Sequence, residues 1–233
     1  MSKNINFKNN IGSRHFDKMS FLKDKVKLNK LINDILTSLD EKKDALHLFS
    51  QKFNFNFNHL ELKKFNKYKS VILIGMGGSS LGAKAIYSFC GGKIKKKFIF
   101  FDNLDQLKIV ETKKKLNFNK SLFILISKSG NTLETLINSS LFEDKINNKN
   151  TIILTEKKTN TLNTFAKKKN ILLIEHRDYI GGRFSVLSEV GMIPAYFMGL
   201  KINSFRKNLL EFFKFKQKKL ILENIIKLSH IYK

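Results

Sequence analysis

The sequence predicts an α/β protein built on a parallel five-stranded sheet sandwiched by helices, with helical N- and C-terminal extensions. Three observations predict it. Five short apolar runs, VILIG (71–75), FIFFD (98–102), SLFILI (121–126), TIILT (151–155) and ILLIE (171–175), have the unbroken hydrophobicity of strands buried on both faces. Helical segments alternate with these runs, and strands and helices at this spacing make βαβ units. Glycine- or hydroxyl-rich stretches stand at 75–82, 127–132 and 181–185, after strands. Right-handed crossovers put such loops along one edge of the sheet, where ligands of this architecture bind.

Along the chain, residues 1–20 are polar and read as mobile or draped on the surface. Leu22, Val26, Leu28, Leu31, Ile32, Ile35, Leu36, Leu39 and Leu46 recur at helical spacing, which predicts one or two helices over 21–49. FNFNFN (53–58) alternates strictly, as a short strand would, and equally suits a loop that packs its phenylalanines. Helices are predicted over Ser79–Phe89, Asp105–Lys115, Thr132 to about Lys145, Thr161–Lys168 and from near Ser185. The tail from Lys201 also reads as helix, with Glu211, Glu223 and His230 at solvated positions. The resulting organisation is an N-terminal helical extension (1–66), the α/β domain (67–200) and a helical tail (201–233).

Composition bounds the function. The single cysteine, Cys90, excludes an internal disulfide framework and a cysteine-based zinc site within one chain. No apolar run approaches the roughly 20 residues that span a bilayer. The segment MSKNINFKNN lacks the apolar core of a secretory signal. No membrane association and a reduced, cytoplasmic location are therefore expected. The net charge of +25 invites a nucleic-acid reading, but only Arg14, Arg177, Arg183 and Arg206 are arginines. The remaining basic residues are lysines, in a chain heavy in Asn, Ile and Phe, the residues with AT-rich codons. Arginine is the residue of bidentate phosphate and base contacts, so its scarcity argues against a specific nucleic-acid partner.

The most informative stretch is SKSGNTLET (127–135), where the third apolar run opens a helix. Backbone N–H groups at a helix N-terminus are unpaired and attract anions, and Ser127, Ser129, Thr132 and Thr135 add uncharged donors. A phosphate cradle without nucleotide-type motifs is one reading; an ordinary helix capped by Ser129 or Asn131 is the other. In GMGGSSLGAKA (75–85), Gly75, Gly77 and Gly78 allow a sharp turn and close approach to a ligand. Ser79 and Ser80 cap the next helix and can bond sugar hydroxyls; a plain glycine turn is the alternative. In DYIGGRFSVLSEVGMIPA (178–195), Gly181 and Gly182 set Arg183 on a tight backbone. There it can stabilise an oxyanion, or form a surface ion pair with Asp178 or Glu175.

Together, IGMGGSSLG (74–82), ISKSGNTLET (126–135) and DYIGGRFSVLSEVGM (178–192) resemble the phosphoglucose isomerase family and its sugar-isomerase (SIS) domain, of flavodoxin-like fold. The resemblance spans about residues 68–200 and implies interconversion of glucose 6-phosphate and fructose 6-phosphate, in glycolysis and gluconeogenesis. It implies that Ser127, Lys128 (through its backbone), Ser129 and Thr132 hold the phosphate, and that Gly78 and Ser79, with Ser80 beside them, meet the sugar. Arg183 would stabilise the enediolate. No cofactor or metal is implied, and a homodimer is. Glu189 departs from the small residue or proline of many members, with a local effect expected. Family members continue into a second SIS domain that supplies a carboxylate base, a histidine and a late lysine. The 50 residues after Arg183 carry none of those motifs, so the chain reads as an N-terminal portion holding the binding half. A non-catalytic sugar-phosphate-binding SIS module is the competing reading.

Overall fold

All five apolar runs form strands, β1 (Ser70–Ile74), β2 (Lys97–Phe101), β3 (Ser121–Ile126), β4 (Thr151–Thr155) and β5 (Leu172–Glu175). The computed structural model describes residues 17–213 and 215–232, so nearly all of the polar 1–20 segment lies outside the described residues. The strands make one parallel sheet in the order β2-β1-β3-β4-β5. β1, β3 and β4 are buried throughout, which accounts for their unbroken hydrophobicity. Successive residues alternate faces: Val71 and Leu73 join one core, Ile72 and Ile74 the other.

The helices between strands divide between these two cores as the strand order requires. After β1 the chain steps one way to β2, then reverses to β3 and continues to β4 and β5. Right-handed crossovers therefore place α3 (Gly78–Cys90) on one face and α4 (Gln106–Lys115), α5 (Leu133–Ser140) and α6 (Thr161–Lys168) on the other. Ala83 and Ile86 of α3 accordingly sit in the first core, and Ile109, Leu162 and Ala166 in the second. Ahead of the sheet come α1 (Lys18–Ser38), a 3₁₀ turn (Ala45–Phe49) and α2 (His59–Lys63). After it come α7 (Glu189–Phe197), α8 (Ile202–Arg206), a 3₁₀ turn (Leu209–Phe213) and α9 (Phe215–Ile231). No helix among the described residues is long and apolar enough to cross a membrane.

Four local expectations are settled or corrected. FNFNFN is a loop: Phe53 and Phe57 are buried and Phe55 packs beside them, while Asn54 and Asn58 face outward. α5 stops at Ser140 rather than near Lys145. There Ser139 and Ser140 hydroxyls donate to the Thr135 and Ile137 carbonyls, and bonds from Phe142 to Ser139 and Lys145 to Phe142 tighten the chain into turns that bury Phe142. The helix expected from Ser185 is a 3₁₀ turn over Gly182–Leu187; α7 begins only at Glu189, capped by Ser188, whose backbone is extended. His230 is not solvated, because its ring lies against α1 with Nε2 3.1 Å from Asp24.

Candidate functional site

Reversal of the chain between β1 and β3 makes a switch point, and in sheets of this kind ligands bind outside the carboxyl ends of the two strands at such a point. Loops 75–82 and 127–132 flank it. In the second loop the Ser127 hydroxyl lies 2.8 Å from that of Thr132 and accepts from the Gly130 amide at 3.1 Å. The Ser129 hydroxyl lies 3.5 Å from Thr132 and accepts from the Asn131 amide. Ser127 is buried at the base, Thr132 half-buried and Ser129 exposed at the rim. Thr132 is the N-cap residue of α5, yet no side chain caps that helix. Asn131 is instead turned toward α6, where its Oδ1 accepts from the Thr161 amide and hydroxyl. Capping by Ser129 or Asn131 is thereby excluded, and the helix start keeps its outward amides for another acceptor. Gly130 takes φ +69°, and a β-carbon there would meet Asn160 Oδ1 at 1.9 Å.

Lys128 is the one charged side chain in this loop, and it is engaged. Its Nζ donates to the Asp178 carbonyl at 2.5 Å and stands 3.7 Å from Glu156 Oε1. This ties the hydroxyl loop to the loop after β5. Ser79 is half-buried at the start of α3, whereas Ser80 is buried with its hydroxyl donating to the Gly77 carbonyl. Gly78 touches the third loop: a β-carbon on it would fall 2.2 Å from the Gly182 carbonyl oxygen. Ser185 buttresses that contact, its hydroxyl donating to the Gly182 carbonyl at 2.6 Å. Arg183 is exposed beside Phe184, its guanidinium carbon 5.8 Å from the ring centroid. Glu175 pairs with Lys157, and among the described residues Arg183 makes no ion pair with it or with Asp178. The structure thus gathers Ser127, Ser129 and Thr132, and brings Gly78 against Gly182. No hydrogen bond among the described residues joins Arg183 to the hydroxyl loop; Gly78 and Lys128 are the links.

Asn160 and Glu156, beside the site, were not singled out from the sequence. Asn160 packs on Gly130 and caps α6 through the Asn163 amide. Glu156 follows β4 at the same sheet edge, and that placement was its one available signal. His176 is buried, Nδ1 3.2 Å from the Arg177 carbonyl, and burial pushes its imidazole below the ordinary histidine range. Glu189 reaches beyond the local effect expected of it. Its Oε1 accepts from the Asn56 amide at 3.0 Å and lies 3.4 Å from Arg177 Nη2. Burial raises its carboxyl above the usual range, while the Asn56 amide and Arg177 act in the other direction.

The family model described as phosphoglucose isomerase matches residues 3–212. A glucose-6-phosphate isomerase of Methanocaldococcus jannaschii is 36% identical over 167 residues, covering 70% of this chain and 41% of that protein. One of Borreliella afzelii is 37% identical over 140 residues, covering 54% of this chain and 26% of that protein. The chain therefore spans well under half the length of these curated relatives. Among solved structures, a hypothetical protein from Thermus thermophilus aligns with TM-score 0.68 at 22% identity, covering 93% of this chain and 56% of that one. A glucose-6-phosphate isomerase from Chlamydia trachomatis aligns with TM-score 0.63 at 20% identity, covering 82% and 44%. At these identities the two structures show the shared fold.

Gly78→Ala forces the first and third loops apart and should cost about 1–3 kcal/mol by urea denaturation; an unchanged midpoint would mean the backbone contact is not tight. Burial disfavours the charged form of His176, which therefore titrates lower folded than unfolded, so its contribution is present above its unfolded pKa and lost as pH falls below it. Between about pH 7.5 and pH 5.5 the urea midpoint of wild type should fall more than that of His176→Gln. Equal falls would clear His176 of this role.

Proposed function

We propose that this chain, which belongs to the phosphoglucose isomerase family, forms the phosphate-binding and enediolate-stabilising part of an enzyme that interconverts D-glucose 6-phosphate and D-fructose 6-phosphate. The observation that carries this reading is the pairing of an uncapped helix start, ringed by Ser127, Ser129 and Thr132, with an Arg183 on a neighbouring loop that makes no ion pair among the described residues. The 6-phosphate takes its hydrogen bonds from α5 amides, the Lys128 backbone and the three hydroxyls, and the helix dipole favours its charge. Gly78 and Ser79 meet the sugar, with Ser80 holding the turn from behind.

Aldose–ketose exchange removes the proton from C2 of the open-chain aldose and leaves an enediolate with charge on the C1 oxygen; a proton then passes from the C2 oxygen to the C1 oxygen and one is returned to C1, so that the carbonyl moves to C2. A guanidinium beside that oxygen stabilises the charge as it develops, which lowers the barrier more than it strengthens ground-state binding. Arg183 is suited to this because nothing in the described fold neutralises it. The base that moves the proton is assigned to no residue of this chain. A sensing module would need the hydroxyl loop alone, so the unpaired Arg183 favours the isomerase.

In the isomerase assay, Arg183→Lys should lower kcat by on the order of 10²-fold while KM changes by less than about threefold, since an ammonium cannot reproduce the planar fork. A wild-type kcat would remove Arg183 from the enediolate. Thr132→Val deletes a phosphate hydrogen bond and should raise KM about tenfold with kcat nearly kept, as one bond to a charged group contributes about 1.5 kcal/mol. A variant with unaltered KM would place the phosphate elsewhere.

A further inference from the structure

We propose that Arg177 and Glu189 act as positioning residues, a clasp across the two ends of the loop that presents Arg183; the inference rests on the role proposed above for that arginine. Arg177 leaves the sheet two residues after β5, and Glu189 is the first residue of α7, so the pair brackets 178–188. Their side chains meet at 3.4 Å while only 16% and 1% exposed, which makes this a desolvated pair rather than a surface one. Each partner is anchored further. Arg177 Nη1 donates to the Tyr179 hydroxyl at 2.9 Å, Nη2 donates to the Asn54 carbonyl, and the guanidinium carbon sits 4.4 Å from the Phe53 ring centroid. Glu189 Oε1 accepts from the Asn56 amide, which joins the 53–57 loop to the base of α7.

Inside the clasp, Ile180 is buried against Leu48 and Phe53 with Tyr179 and Leu187 packed beside it, Gly182 meets Gly78, and Ser185 and Ser188 fold the 3₁₀ turn onto its own carbonyls. Arg183 makes no ion pair or side-chain hydrogen bond among the described residues and lies only beside the adjacent Phe184, so the place of its guanidinium is set by its backbone, held at Gly78 and at the two loop ends. An apolar pair of similar volume would pack at least as stably as a buried ion pair, so stability does not explain these residues. What a charged pair, each member hydrogen-bonded to the 53–57 loop, adds is a fixed distance and direction, which a loop delivering one side chain to a reacting oxygen requires.

Hydrogen exchange on the 233-residue chain tests this without any ligand. Glu189→Ala and Arg177→Ala should each raise exchange of the 178–188 amides about tenfold, with β1 and β3 protection unchanged. The double variant should exceed neither single, because one interaction is lost only once. Fructose 6-phosphate should bind either variant about tenfold more weakly than wild type, while inorganic phosphate, which needs only the 127–132 loop, binds equally. Wild-type exchange of the loop in a folded Glu189→Ala chain would overturn the clasp, as would strict additivity in the double variant. If both alanine variants lose sheet protection as well, Glu189→Gln decides, because it keeps the volume and an acceptor for Asn56. Faster loop exchange over a protected sheet then supports the clasp, and wild-type exchange rejects it. Failure of wild type to bind fructose 6-phosphate would count against the function proposed above and leave the exchange result to judge the clasp.

Discussion

The reversal of strand order between β1 and β3 is the constraint on which the carboxyl edge of this sheet depends. Because the chain moves one way from β1 and the other way from β3, their following helices lie on opposite faces, and the loops that lead into them part. The space between two parting loops has no strand or helix of its own to satisfy it, and backbone donors there remain available to an anion. The third loop leaves β5, at the far edge of the sheet, and has to cross β4 and β3 to arrive. It is received at Gly78, where the absence of a β-carbon lets the Gly182 carbonyl come into backbone contact. A single side-chain carbon at that point would hold two of the three loops apart.

In a chain of net charge +25, the hydroxyl loop proposed to hold the anion contains no free cation among the described residues. Lys128 stands in it, but its ammonium is drawn aside to the Asp178 carbonyl and Glu156. An ammonium on a flexible stem is a hydrated point charge that holds any anion at many distances. Amides at a helix start and hydroxyls linked to one another, as Ser127 and Thr132 are, accept only a group of the right size and direction. The lysine excess consequently says nothing about this site, and the sequence features that do say something are the hydroxyls.

Elements whose causes are local were legible in the sequence. SLFILI and TIILT coincide with β3 and β4 because a strand buried on both faces has to be apolar without interruption. α6 coincides with Thr161–Lys168 because Asn160 caps it and lysines close it. The hydroxyl loop was readable for the same reason, its donors lying within six residues of one another. The places left open or unread depend on distant partners. FNFNFN alternates like a strand, yet no neighbouring strand is there to pair with it, and burial of its phenylalanines decides its form. The reach of Glu189 was invisible because its partner amide, Asn56, is 133 positions away, and no periodicity records such a pair.

Packing joins the segment ahead of residue 66 to the α/β unit. Phe53 receives two of the four arginines, Arg177 and Arg206, each guanidinium carbon 4.4 Å from its ring centroid. The carbonyls of Asn54 and Ser50 accept from the same two side chains. Arginine is used here and lysine on the surface for a physical reason: a guanidinium is weakly hydrated, stacks on a ring and still offers donors in its plane, so it loses less on burial than an ammonium would. Burial nonetheless lowers the Arg206 pKa, with Glu189 opposing that shift and Arg177 adding to it, so the three charges are set against one another at one point. The phenylalanine loop ahead of the sheet is thus part of what holds the Arg183 loop behind it. Truncating the chain at residue 66 would remove Phe53, Asn54 and Asn56, and with them the seats of both Arg177 and Glu189.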